Sequence, residues 1–118
     1  MKKLFLFVLV LLTLATYGQK PKNGTYTYSI AFAEWDGKSL GASCTVVIKG
    51  DSIKVIHNGT GNLTAKKGEI LDKGIIMTHK KTGKYIIGHK PSDVNVPEVS
   101  GCEGPSIIDF LKKLFWMC

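Results

Sequence analysis

Residues 42–59 read ASCTVVIKGDSIKVIHNG, and this stretch decides the fold. Apolar and polar residues alternate on both sides of Gly50-Asp51, the period of two that belongs to half-buried strands. A two-residue turn with glycine first suits a type II′ hairpin, because that position requires a positive φ. Such a turn fixes the register: Lys49 faces Ser52, Ile48 faces Ile53, Val46 faces Val55 and Cys44 faces His57. Ile48, Ile53, Val46, Val55, Cys44 and His57 then share one face. The other face carries Val47/Lys54, Thr45/Ile56 and Ser43/Asn58, and is more polar. A slip of one residue would exchange the faces, so pattern and turn support the same pairing.

The same alternation runs outward from this hairpin. Upstream, Tyr26, Tyr28, Ile30 and Phe32 alternate with smaller or polar residues, which predicts a strand with an aromatic inner side that ends at an Asp36-Gly37 turn. Downstream, Ile75, Met77 and His79 are expected to face Tyr85, Ile87 and His89 across a three-residue Lys81-Thr82-Gly83 loop. Between these hairpins, Leu63 to Asp72 predicts two shorter strands around Lys66-Lys67-Gly68. Residues 90–106, KPSDVNVPEVSGCEGPS, read as one long loop. Ser106 to Cys118 fits two patterns. As a helix, Ser106 caps and Ile107, Phe110, Leu111 and Leu114 form a stripe. As a strand, Phe110, Leu114, Trp116 and Cys118 fall on one face. The expected fold is all-β: a single domain over 19–118, an antiparallel meander of about six to eight strands closing into a barrel or a sandwich.

The first 18 residues predict an export signal. Met1-Lys2-Lys3 is a basic start, Leu4 to Leu14 an apolar run, and Gly18 a small residue before the cut at Gln19. An apolar run of about 12 residues is short for a membrane span, which needs about 20, so no transmembrane segment is expected in the mature chain. The implied destination is periplasmic or extracellular and oxidising. Of the three cysteines, Cys102 in the loop and Cys118 at the chain end are expected to pair, leaving Cys44; Cys44–Cys118 is the alternative.

A net charge of +7, with every basic residue a lysine, bounds the partners. Without arginine the bidentate fork that reads bases is missing, which excludes sequence-specific nucleic-acid recognition. Attraction to an anionic glycan or lipid surface remains compatible with the charge. Cys44 beside His57 resembles the start of a thiolate–imidazolium pair, the reading for a cysteine enzyme. His79 and His89 sit about 13 Å apart in the expected register at 3.3 Å per residue, so they cannot share a metal, and no metal or cofactor is expected.

Short antiparallel strands opening on Gly24-Thr25-Tyr26 resemble a small bacterial lipocalin-like barrel. In that family a Gly-x-Trp opens the first strand and a late arginine packs on the tryptophan; here Tyr26 takes the Trp position and the chain has no arginine. The resemblance implies a ligand cavity at one barrel mouth. Cys44, His57, His79 and the Asp36-Gly37 turn are expected to share an end of the sheet, walled by Phe32 and Tyr85. The leading expectation is a noncatalytic binding module for a small apolar ligand or a surface partner. The alternatives are an enzyme using Cys44 and His57, and an inhibitor or surface-interaction protein presenting the 90–106 loop.

Overall fold

The computed structural model describes residues 19–61, 66–100 and 103–118. The expected export signal over residues 1–18, Leu63 and Cys102 therefore lie outside the described residues. The strands are β1 (Gly24–Phe32), β2 (Ser43–Lys49), β3 (Ser52–His57), β4 (Ile70–Thr78), β5 (Tyr85–Gly88), β6 (Ile108–Asp109) and β7 (Leu114–Met117). They form one sheet in the order β5-β4-β3-β2-β1-β7-β6, curled into a nearly closed barrel. Short 3-10 turns at Ala33–Trp35 and Pro91–Asn95 complete the described secondary structure. None of the described helices is long and apolar enough to cross a membrane.

The β2–β3 hairpin has the expected register, from Lys49↔Ser52 through Cys44↔His57. Gly50 takes φ +62°, as its turn position demands, and its N–H donates to Asn23 Oδ1 at 2.7 Å. All six residues of the inner face are buried. Burying each Val or Ile there contributes about 1.5–3 kcal/mol. In β1 the expected parity also holds: Tyr28, Ile30 and Phe32 are buried and Tyr26 packs against the cluster.

The β4–β5 hairpin departs from expectation by one residue. Ile76 pairs with Ile87 and Thr78 with Tyr85, and His79 N donates to Lys84 O at 2.8 Å, which makes the loop one residue longer. Gly83 is left-handed as expected, Thr82 is tied to the His79 ring, and Lys80 is the residue added to the loop. One residue reverses parity, so Ile76 enters the core and Ile75 is 44% exposed. Nor is Ile70 to Asp72 a separate short strand. It begins β4, which runs unbroken to Thr78 after a turn at Lys66–Glu69.

The chain end is a hairpin of β6 and β7, not a helix. Phe115 points inward at 1% exposure, the opposite parity to the expected Leu114, Trp116 and Cys118 face. β7 runs parallel to β1, from Ser29↔Leu114 to Phe32↔Met117, so the sheet is not a pure antiparallel meander. An isolated Ile86↔Ile107 bridge and a bond from Ile87 N to Ser106 O at 3.0 Å bring the β5 edge against β6, and this seam nearly closes the barrel.

Candidate functional site

The seam holds a pocket. The β6–β7 turn is set by Asp109, whose Oδ1 accepts from Leu111 N at 3.0 Å and Lys112 N at 2.8 Å. This places the turn opposite Lys84 and Tyr85, at the start of β5. A cavity of about 260 Å³ lies between them, walled by Tyr85, Ile107, Leu114 and Trp116, with Lys84 and Lys112 among the lining residues. Tyr85 is braced by Phe110, ring centroids 5.2 Å apart. Aromatic and aliphatic walls with a few polar groups are the usual composition of a ligand pocket, and the volume is near the lower end of the usual range of about 300–1,000 Å³. Lys84 and Lys112 are the cationic groups that can meet a ligand's polar end.

Of the residues singled out from the sequence, only Tyr85 lines this pocket. Phe32, Cys44 and His57 lie in the barrel interior toward the end that carries the Asp36-Gly37 turn. Cys44 is fully buried and its Sγ donates to Tyr28 O at 3.6 Å. Burial pushes its thiol up to about 12. The thiolate is the nucleophilic form, and this environment favours the thiol. His57 Nδ1 accepts from Gly59 N at 3.0 Å, which assigns the ring proton to Nε2. That buried Nε2 has no hydrogen-bond partner among the described residues.

His79 does not join them. Glu69 O accepts from His57 N, and from there β4 runs to its far end before His79 is reached. Nine residues separate Ile70 from His79, about 30 Å along an extended strand. The expected shared mouth is therefore corrected: His57 and His79 lie toward opposite ends of the sheet. His79 is instead a fully buried staple. Its Nε2 lies 2.6 Å from Val96 O, a carbonyl that can only accept, so Nε2 donates and Nδ1 accepts from Thr82 Oγ1 at 2.9 Å.

The same residues pin the 90–106 loop. Lys80 N donates to Val94 O, and the buried Asp93 accepts from His89 N at 2.7 Å and Lys90 N at 3.2 Å. Ser100 Oγ accepts from Ile107 N at 2.7 Å. Cys102, the expected partner of Cys118, is outside the described residues. His89 pairs with Asp72 at 2.7 Å; the one-residue register error had placed it opposite Ile75 and concealed this contact. No group of three or more metal-ligating side chains occurs among the described residues.

Trp116, Ile107 and Leu114 were not singled out as site residues. Trp116 was legible only as an aromatic near the chain end, and its place in a pocket depends on the seam. Fold and site together define a small β-barrel domain with a pocket of mixed apolar and charged lining at its closure. No known protein family, curated protein or solved structure matches the chain.

Proposed function

We propose that the protein is a noncatalytic binding module, an exported lipocalin-like barrel that takes a small apolar ligand in the seam pocket. The observation that carries this reading is the cavity of about 260 Å³ walled by Tyr85 and Trp116. Basic start, apolar run and small residue at Gly18 support release before Gln19 into a periplasmic or extracellular space. The ligand sits between two aromatic side chains, with a polar end at Lys84 or Lys112. A cysteine-enzyme reading draws no support from a thiol held protonated in the core.

The test is binding of the apolar fluorophore N-phenyl-1-naphthylamine to the mature chain. The parent protein binds it saturably, and Tyr85→Ala or Trp116→Ala weakens binding about tenfold, the effect of removing an aromatic contact worth about 1.4 kcal/mol. Absence of binding, or equal binding by both variants, refutes the pocket as the site.

A further inference from the structure

The outer face of the central strands carries charge that the fold does not need. Val47, Lys54 and Lys73 are successive partners across β2, β3 and β4. Lys49 lies diagonal to Lys54, a separation of about 7–8 Å. Lysines on edge strands deter aggregation, but β3 is flanked by β2 and β4, so Lys54 guards no edge. Like charges directly opposite one another destabilise a sheet. Among the described residues the Lys20–Asp51 ion pair and the His89–Asp72 contact take up the nearby carboxylates, and none is paired with Lys49, Lys54 or Lys73.

These lysines border a groove of about 600 Å³. Its floor is apolar, made of Val47 and the exposed Ile75, with Gly74 and Gly88 also lining it. Gly74 is required by close approach, since a Cβ there would lie 2.3 Å from Gly88 O, whereas one on Gly88 would meet the movable Met77 Sδ at 2.3 Å. No acidic residue lines it.

We propose that this groove is a second binding site, for a single-chain anionic amphiphile. The carboxylate, sulfate or phosphate head lies between Lys54 and Lys73, and the alkyl chain lies on Val47 and Ile75. Charge complementarity selects the head and the apolar floor selects the tail. A wholly polar polyanion would leave the floor wet, and a neutral lipid would leave the lysine repulsion in place. The groove shares no lining residue with the seam pocket, so the two sites stand or fall separately.

Calorimetric titration with decanoate below its micelle concentration tests this, with decanol as a tail-only and acetate as a head-only control. Decanoate binds at one saturable site, more tightly than either control and more weakly as salt is raised. The double variant Lys54→Thr/Lys73→Thr loses about tenfold in affinity, from two exposed charge contacts of up to about 0.7 kcal/mol each. It melts no lower than the parent, because threonine suits a strand and the like-charge pair is gone. Equal binding of decanol, unchanged binding by the double variant, or a lower melting temperature in that variant overturns the proposal. So does heparin binding that decanoate cannot displace, which identifies a polymer site. Decanoate binding that survives the lysine changes and is lost in Tyr85→Ala also overturns it while supporting the seam pocket.

Discussion

Replacing His79 by Phe separates a staple from a ligand contact. The ring is fully buried, its Nε2 donates to Val96 O at 2.6 Å and its Nδ1 accepts from Thr82 Oγ1 at 2.9 Å. Phenylalanine fills nearly the same space but leaves a carbonyl and a hydroxyl without their partner. Each loss costs about 1–3 kcal/mol, and the more apolar ring returns about 1 kcal/mol, so the net loss is about 1–5 kcal/mol, with a midpoint of about 3. Against a total of about 5–15 kcal/mol this is severe, and at about 4–8 °C per kcal/mol it lowers the melting temperature by about 10 °C or more. His57→Phe supplies the internal comparison. His57 has one ring bond, from Gly59 N, and a buried Nε2 with no partner among the described residues. Its replacement removes an unmatched donor along with that bond, so the cost is about 1 kcal/mol. Circular-dichroism melts and urea titrations of both variants give the ranking, and proteolysis of the 90–106 loop should accelerate in His79→Phe alone. A His79→Phe melt within about 2 °C of the parent, or a smaller loss than in His57→Phe, would refute the reasoning.

Two further outcomes follow from the cysteines. Burial pushes the Cys44 thiol from 9.0 and the Tyr28 phenol from 10.0, each up to about 12. The unfolded chain releases these protons first, so their contribution is complete below pH 9 and is lost as pH rises toward 12. Urea titrations between about pH 8 and 11 should show this decline, with a shallower slope in Cys44→Ala; a flat parent profile contradicts it. Nonreducing peptide mapping of the protein prepared under oxidising conditions is expected to join Cys102 to Cys118, with Cys44 labelled by a thiol reagent only after denaturation. A peptide linking Cys44 to either partner excludes that pairing.

The β2–β3 pairing was legible because a two-residue turn leaves no slack and because the sequence on either side changes polarity at every step. The β4–β5 hairpin lacks that constraint. Its loop is bounded by lysines, and only the pairing of His79 with Lys84 reveals that Lys80 belongs to the loop. Since strand parity has a period of two, this one-residue difference turned Ile75 outward, brought Ile76 inward and hid the His89–Asp72 pair. At the chain end the difficulty was contrast. Leu114, Phe115, Trp116 and Met117 are all apolar, so alternation cannot say which faces the core, and the parallel pairing of β7 with β1 joins segments more than 80 residues apart. No local period records such a contact.

The placement of the site depended on the number of chain reversals. Reading Leu63 to Asp72 as two short strands inserted a reversal that the uninterrupted Ile70–Thr78 strand does not have. Each reversal exchanges the ends of a meander, so one too many carried His79 to the wrong end and assembled a mouth from residues that lie far apart. The five residues chosen for that mouth were real features of the sequence, and four of them are buried. Burial by itself marks a side chain for packing as readily as for binding. The seam pocket needs a different kind of information, namely which edges meet when the sheet curls. Tyr85 comes from β5, Ile107 from the bridge that meets it, and Leu114 and Trp116 from a strand docked on β1. Closure of the barrel is what brings these residues together, and closure is the property that a strand-by-strand reading leaves out.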